Sequence, residues 1–491
     1  MKPPHPALAA LVVLFPLIAA ITQPPSTPPA VPVLPGRVIA TKPAGLQAGA
    51  FAQDVTPTTF PISVNGGMSD RKATSAHDPL HARCLVLSDG TTKVALVVVD
   101  SCMIPRELID AAKSKAQKTT GIPTSNILIS ATHTHTAPTL SGVFQSDPDE
   151  GYVRFLTDRI AEGIEKAHSR LAPARAGWGG AAEPNQVFNR RWKMKPGVDN
   201  ADPFGRTTDK VKMNPGYQNP GLFEPAGPTD PEVSVLSIRT PENKPLALYA
   251  NYSLHYVGDL PALSADYFGV FGDRIGGLLG ATDPGFVGIL SNGTSGDVNN
   301  INFAGPPPGK RVPGEQSRVV AEAVGMAAKK AAMATNYRGD VTLAVAEKEI
   351  ELGVRKPTAE EVARAEALLL KAAGRELKGV EEIYARETVL LAKYPERVKL
   401  KIQAIRVGEL GIVAIPCEVF TEVGLEIKKT SPLKRTFTVS LGNGYNGYLP
   451  TPAQHALGGY ETWRARSSYL EIHASDAILK TAVELLGMVA K

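Results

Sequence analysis

The stretch Ile127-Leu128-Ile129-Ser130-Ala131-Thr132-His133-Thr134-His135 joins a short apolar run to two histidines. The apolar run predicts a buried strand, and two side chains at i and i+2 just past it lie on one side if the extended conformation continues. Ligands bind at the carboxyl ends of strands in open α/β sheets, and imidazole is a metal ligand and an acid–base group near neutral pH. The alternative is a pair of exposed loop histidines bonded to neighbouring threonines.

The residues upstream of this stretch predict a strand–helix–strand unit. A continuous apolar run, Leu96–Val99, ends in Asp100, and Pro105 stands where a helix to about Lys118 begins. Proline is favoured in the first turn of a helix. A helix that connects two strands predicts that the strands are parallel. We therefore expect a mixed α/β fold whose core is a largely parallel sheet flanked by helices.

Two segments interrupt this pattern. Residues 193–232 are rich in Pro, Gly and Asp with little periodicity, which predicts a long irregular insertion over the surface, with a lid as one role. Residues 357–391 are charged and helical in pattern but broken near Gly374, which predicts a peripheral helical hairpin.

Composition excludes some classes of protein. The chain has 491 residues, 43% of them hydrophobic and 21% charged, and its formal net charge is +5. These values are ordinary for a globular protein. Because no Lys/Arg block is interleaved with aromatic residues, nucleic-acid binding has no support.

The N-terminal residues predict export. An apolar run from Ala7 to Ile21 follows Lys2, and a Pro-rich stretch comes after it. We expect a signal peptide over 1–22, a linker over 23–37 and a folded domain over 38–491, in a secreted or periplasmic protein. An uncleaved membrane anchor is the alternative. The three cysteines are sparse and lack a CxxC pattern, so we expect buried thiols rather than a disulfide framework.

Polar residues follow several apolar runs, which suggests one site at the edge of a sheet. The residues at these positions are Asp100, His133, His135, His255, Asp297 and Glu418. A hydrolytic zinc site needs a few imidazole or carboxylate ligands and an open position for water. The long gaps between these residues carry no spacing signal, so the residue types alone leave a metal site open.

The order of several segments resembles the neutral/alkaline ceramidases, from about Ala48 to about Leu486. The resemblance covers the family's catalytic domain and rests on Gly49–Pro57, His81–Arg83, Thr132–His135, Asn251–His255, Gly296–Val298, Ile415–Thr421, and Tyr448 followed by Tyr460-Glu461. It implies an exported hydrolase that cleaves an N-acyl amide by zinc-activated water.

The same resemblance implies roles for individual residues. The expected Zn²⁺ ligands are His133, His255, Glu418 and Tyr448, and His135 is the expected acid–base residue. Arg190 matches an active-site arginine of the family, and Tyr460 matches a tyrosine that stabilises the oxyanion.

The substrate-binding residues depart from the family pattern. In the run Gly296–Asn302, Asp297 and Asn299 are the expected substrate contacts, but Asn299 stands where the family has a serine. Tyr256 and Val257 replace small residues after His255. The expected substrate is therefore a small lipid-like or N-acyl compound other than ceramide.

Several alternatives stay open. The same zinc site acting on an ester, a lactone or a non-sphingoid N-acyl compound is the main one. A binding protein that has lost catalysis and a purely structural α/β domain are two others. Peripheral contact with a membrane surface and the oligomeric state are also open.

Overall fold

The structure is a computed structural model that describes Met1 and residues 45–198, 200–372 and 374–491. The predicted signal peptide (after Met1), the linker and the predicted domain start at Val38 lie outside the described residues. In the described part of the chain, no helix combines the length and apolar character needed to cross a membrane.

Helices and strands alternate along the described chain. The helices are α1 (Arg106–Thr120), α2 (Glu150–Ser169), α3 (Asp266–Leu279), α4 (Glu315–Met333), α5 (Ala359–Ala372), α6 (Gly379–Ala392), α7 (Thr421–Thr430), α8 (Pro452–Leu457) and α9 (Ala474–Ala490). The strands are β1 (Gln47–Asp54), β2 (Ile62–Val64), β3 (Arg71–Ala73), β4 (His81–Ser88), β5 (Lys93–Val99), β6 (Ile127–Ala131), β7 (Ala172–Pro173), β8 (Arg175–Ala182), β9 (Phe188–Asn189), β10 (Arg191–Met194), β11 (Val211–Met213), β12 (Leu222–Pro225), β13 (Glu232–Arg239), β14 (Pro245–Tyr252), β15 (Val287–Asn292), β16 (Val298–Asn299), β17 (Leu343–Gly353), β18 (Arg397–Val407), β19 (Leu410–Ile415), β20 (Glu418–Val419), β21 (Arg435–Ser440) and β22 (Tyr448–Leu449).

Three larger sheets share one topology. Their strand orders are β6-β5-β4-β1-β7, β15-β14-β13-β8 and β21-β19-β18-β17. In each sheet the first strand is parallel to the second, and the next two pairings are antiparallel. A helix connects each parallel pair, namely α1, α3 and α7, as a parallel connection requires. The fold therefore repeats one strand and helix pattern three times.

The sheets bury one face against each other and the other against helices. Leu96 of the first sheet, Leu236 of the second and Ile412 of the third belong to one cluster of buried apolar side chains. The outer face of the first sheet packs on α1 and α2, that of the second on α3 and α4, and that of the third on α7 and α9. Each sheet is covered on both faces, which explains the continuous apolar runs in β5 and β19.

The three edge strands β6, β15 and β21 meet at the centre of the molecule. Side-chain amides join them: Asn292 Nδ2 donates to the Thr132 carbonyl at 3.2 Å, and Asn251 Nδ2, from the strand next to β15, donates to the Thr438 carbonyl at 3.1 Å. The carboxyl ends of the three parallel pairs therefore come together. The polar residues that follow them lie where three sheets meet, rather than at the edge of one sheet as the sequence suggested.

The structure confirms the mixed α/β class but corrects the proportion of parallel strands. The predicted unit β5-α1-β6 is present and its strands are parallel. Among the described strands, the parallel pairs are β5–β6, β14–β15, β19–β21 and β20–β22, and most pairings are antiparallel. The sequence prediction went wrong because apolar runs also occur in antiparallel strands when both faces of a sheet are covered.

The irregular insertion over residues 193–232 contains more structure than predicted. Its strands β11 and β12 pair on either side of β10 in a small antiparallel sheet. The Trp463 Nε1 atom donates to Asp209 of the insertion at 2.7 Å, and the Gln218 backbone donates to the Phe303 carbonyl at 2.7 Å. Hydrogen bonds therefore tie the insertion to the segments after β15 and α8.

The predicted helical hairpin is present as α5 and α6; α5 lies at the surface with Ala365 and Ala372 buried, whereas α6 packs into the protein. Glu387 on α6 is fully buried, and its carboxylate accepts bonds from the Phe144 backbone at 2.9 Å and the Arg466 guanidinium at 2.7 Å. Ile383 and Tyr384 of α6 pack in one apolar cluster with Cys102. The hairpin therefore supports the segment that follows β5.

We predict that Glu387→Ala destabilises the protein by about 3–5 kcal/mol, because it leaves the mostly buried guanidinium of Arg466 without its partner. Urea unfolding followed by far-UV circular dichroism measures the change. Glu366→Ala removes an exposed carboxylate from α5 of the same hairpin and should leave the unfolding midpoint unchanged. Equal midpoints for both variants would show that the buried pair does not hold the hairpin.

Candidate metal centre

One buried cluster of polar groups contains residues from all three sheets. In each sheet these residues lie in a segment that follows a parallel strand. The residues three positions beyond β5, β14 and β19 are Cys102, His255 and Glu418. The edge strand β6 adds His133 two positions past its end. Ligand atoms of His133, His255 and Glu418 lie within 4.8 Å of one another, and all three side chains are buried. The structure thus brings together three of the residues that the sequence analysis singled out.

The backbone at His133 is left-handed, with a φ of 70°, so the extended conformation does not continue as predicted. The His133 backbone amide donates to the Ser101 carbonyl at 2.8 Å, which holds the turn. The turn still brings the rings of His133 and His135 together, with their Nε2 atoms 3.2 Å apart. These histidines are not exposed loop residues bonded to threonines.

Backbone carbonyls determine the tautomers of two histidines. The Nδ1 atom of His133 lies 2.8 Å from the Cys102 carbonyl, and that of His255 lies 2.9 Å from the Ser295 carbonyl. A carbonyl only accepts hydrogen bonds, so both Nδ1 atoms carry a proton, and each neutral ring presents the lone pair of Nε2 to the centre. Histidines that ligate metals are commonly held in this way.

A cation fits the centre because acceptors face each other there. Glu418 Oε2 lies 3.1 Å from His133 Nε2 and has no hydrogen-bond partner among the described residues, although it is buried. The other oxygen, Oε1, accepts from the Tyr445 hydroxyl at 3.2 Å. A buried carboxylate oxygen beside an imidazole lone pair is unfavourable unless a proton or a metal ion lies between them.

Tyr448 adjoins this cluster. It pairs directly with Glu418 in the short parallel ladder of β20 and β22, and its hydroxyl accepts from Arg190 Nη2 at 3.1 Å. Burial raises the pKa of its phenol. All four residues expected to bind zinc therefore lie at one place, where their donor atoms are nitrogen and oxygen.

The charge of Glu418 controls the protonation of the metal-free centre. Burial lowers the pKa of His133, but the adjacent carboxylate outweighs burial and raises that pKa to about 10. Burial and nearby positive charge hold the pKa values of His135 and His255 well below the ordinary range. Of these three histidines, His133 therefore holds a proton most readily when no metal is bound.

Arg190 spans the centre, and a buried carboxylate holds it. Its guanidinium donates to Glu461 Oε1 at 2.9 Å and to the Gly296 carbonyl at 2.9 Å, and its Nη1 lies 3.3 Å from His255 Nε2. Glu461 also accepts from Arg191 at 2.6 Å and is fully buried. Sequence reasoning missed the role of Glu461 and Arg191, because their pairing joins segments 270 residues apart.

Aromatic stacking and a glycine position His135. Its ring stacks on Tyr256 with centroids 3.8 Å apart. On the other side, a Cβ at Gly66 would lie 2.4 Å from the His135 Cγ atom, and Gly66 has a φ of 95°. Glycine is required there on both counts. The sequence run Asn65-Gly66-Gly67 offered only a turn signal for this contact.

The remaining predicted residues have different surroundings. The Tyr460 ring lies 5.9 Å from the Tyr448 ring, near the centre. Asn299 lines a cavity of about 420 Å³ that also contacts Arg190 and His255. Asp297, the other expected substrate contact, is fully buried, and its oxygens accept from Asn189 and Thr421. Its role is to position the segment that contains Arg190.

We predict that Glu418→Gln lowers the pKa of His133 in the metal-free protein, because burial is then opposed by Cys102 but no longer by the carboxylate. NMR titration of the imidazole nitrogens in histidine-labelled protein measures this pKa. Glu422→Gln is the matched control, since Glu422 bonds to Thr451 and Gln454 instead of the centre, and it should leave the pKa unchanged. An unchanged pKa in Glu418→Gln would contradict the electrostatic account.

Comparison with known proteins identifies the fold. No model of a known protein family matches the sequence, and no curated protein matches it. The structure is similar to that of neutral ceramidase from Pseudomonas aeruginosa, with a TM-score of 0.67 and 18% identity over 90% of this chain and 74% of that chain. It is also similar to a structure described as ceramidase complexed with C2, with a TM-score of 0.67 and 17% identity over 90% of this chain and 75% of that one. The chain has the fold of neutral ceramidase.

Proposed function

We propose that the protein is an exported, zinc-dependent amidohydrolase that cleaves an N-acyl compound. The observation that carries this proposal is the buried set of facing acceptors, His133 Nε2, His255 Nε2 and an unpartnered oxygen of Glu418. Nitrogen and oxygen donors of this kind suit zinc. The similarity in fold to neutral ceramidase supports an amide as the bond that is cleaved.

His133, His255, Glu418 and Tyr448 would hold the metal. Zinc, when bound, supplies an activated water at neutral pH and polarises a carbonyl. The carbonyl groups of Cys102 and Ser295 keep the two histidine rings in the ligating tautomer. Tyr445 supports Glu418 through its hydroxyl.

His135 is the proton carrier in this proposal. Burial and nearby positive charge lower its pKa, so its ring is uncharged at neutral pH, and its Nε2 atom lies 3.2 Å from His133 Nε2. Stacking on Tyr256 fixes the ring plane. His135 would take a proton from the attacking water and give it to the leaving amine, a role that contributes roughly 10²–10⁴-fold in rate.

Arg190 and Tyr460 would stabilise the negative charge that develops on the carbonyl oxygen. Arg190 keeps a fixed position because Glu461 and the Gly296 carbonyl hold its guanidinium. Fixed donors need no reorganisation when charge develops, and removing one donor of this kind typically lowers kcat by about 10²–10³-fold.

Hydrolysis of an ester, a lactone or a non-sphingoid amide by the same residues is the second candidate. The contacts of Asn299 in the cavity beside His255 favour it, and the wall of this cavity carries both polar and apolar side chains. Asn299 Nδ2 donates to Asn214 Oδ1 at 2.8 Å, and Asn299 Oδ1 accepts from the Ile301 backbone at 3.0 Å. An amide held in this way cannot reproduce the contacts of a serine hydroxyl.

We predict that His135→Ala keeps the metal but lowers kcat by roughly 10²–10⁴-fold, because it removes the proton carrier and no ligand. Metal content is measured by mass spectrometry of the purified protein, and kcat on N-acyl sphingosines, N-acyl amino acids and simple esters. His473→Ala, an exposed histidine at the start of α9, should change neither quantity. Loss of metal in His135→Ala would make His135 a ligand, and absence of turnover on all three substrate classes by the zinc-loaded protein would refute the proposed function.

We also predict weak or no turnover of long-chain ceramide, and a gain in ceramide hydrolysis for Asn299→Ser. The substitution breaks the bonds to Asn214 and Ile301 and opens space for a hydroxyl contact. Release of sphingosine from a ceramide of fixed chain length measures the effect. Efficient ceramide hydrolysis by the natural protein that falls in Asn299→Ser would show that Asn299 takes over the function of the serine.

A further inference from the structure

The cavity beside the candidate metal centre shares a wall with a second cavity. The first, of about 420 Å³, contacts Arg190 and His255, and the second, of about 370 Å³, lies farther from them. The two cavities share Tyr217, Asn300, Arg311 and Gln316 on their walls. If the scissile bond of a substrate lies at the centre, the rest of the substrate therefore contacts these four side chains.

Interlocked amides form the wall between the cavities. Asn300 Nδ2 donates to the Gln186 carbonyl at 2.6 Å, and Asn300 Oδ1 accepts from Gln316 Nε2. Each amide keeps further donor or acceptor capacity beyond these bonds. An alkyl chain lying on this wall would bury that capacity without a partner, which is unfavourable, whereas a hydrogen-bonding group would use it.

Arg311 supplies the charge of the shared wall. Its side chain is exposed, and no ion pair holds it within the described part of the chain. The other charged side chains of the first cavity are already engaged. Arg190 is paired with Glu461, and Asp259 accepts bonds from the backbone of Gln316 and Ser317 at the start of α4, at 2.7 and 3.3 Å.

Prolines on both sides restrict the backbone of the segment that contains Arg311. Arg311 lies in the run Pro306-Pro307-Pro308-Gly309-Lys310-Arg311-Val312-Pro313, between β16 and α4. Proline fixes φ, so this segment has less freedom than an ordinary loop of its length. A single guanidinium presented in this way matches one carboxylate, which it binds with two parallel hydrogen bonds.

We propose that the substrate is a short N-acyl amino acid whose carboxylate binds Arg311, an inference that rests on the proposed function. The amides of the shared wall would bind polar groups on the side chain of the amino-acid part. A neutral long-chain lipid brings no carboxylate to bind Arg311.

Equilibrium binding to the metal-free protein tests this inference without turnover. The probes are N-butanoylglycine, its neutral carboxamide, and the analogue with a phosphonate in place of the carboxylate, each titrated by calorimetry. We expect the carboxylate to bind roughly 10- to 100-fold more tightly than the carboxamide, as for a hydrogen bond to a charged group. Arg311→Gln should abolish that difference. Lys310→Gln removes the neighbouring positive charge, which lies on neither cavity wall, and should retain the difference.

The outcomes separate this inference from the proposed function. Equal affinities of the two butanoyl compounds for the natural protein, or a difference that survives in Arg311→Gln, would overturn the carboxylate site. Tighter binding of the phosphonate than of the carboxylate would also overturn it, in favour of a phosphate ester. If the carboxylate preference depends on Arg311 but the zinc-loaded protein hydrolyses no N-acyl compound, the carboxylate site stands and the proposed amidohydrolase fails.

Discussion

A carboxylate oxygen of Glu418 and the Nε2 lone pair of His133 face each other 3.1 Å apart in the interior of the protein. Neither atom has a proton to offer when the His133 tautomer is set by the Cys102 carbonyl. The repulsion must be relieved by a positive charge, either a proton shared by the pair or a metal ion. The surrounding structure serves this requirement, since it buries the pair, adds His255 and holds Arg190 in a bond to Glu461.

The fold achieves this by joining three sheets at their edges. An edge strand normally exposes unpaired backbone groups, and here β6, β15 and β21 cover one another's edges at the centre of the molecule. Their carboxyl ends therefore open onto one point. The helical hairpin α5–α6 and the insertion around β10 pack over this point from outside, through Glu387 and Asp209 respectively. These two segments, which interrupt the strand and helix pattern of the sequence, therefore support the residues at the centre.

Local features were predictable from the sequence because they depend on neighbouring residues. The apolar runs of β5 and β6, the helix between them and the polar residues past each strand follow from periodicity and turn chemistry. The meeting of three sheets was not predictable, because it depends on contacts between residues more than a hundred positions apart. The left-handed turn at His133 and the close approach of Gly66 to His135 depend on the same distant packing. The ligand set itself came from resemblance to a family, since residue spacing gave no signal for it.

Because the strand order repeats three times, each repeat contributes one equivalent position to the centre. A site on the axis of a homotrimer contains the same residue three times, because each subunit has the same sequence. In a single chain that joins three equivalent units, each unit can diverge by itself. The equivalent positions here hold Cys102, His255 and Glu418, a thiol, an imidazole and a carboxylate. Covalent linkage thus allows three chemically different side chains at positions that a repeated strand order makes equivalent.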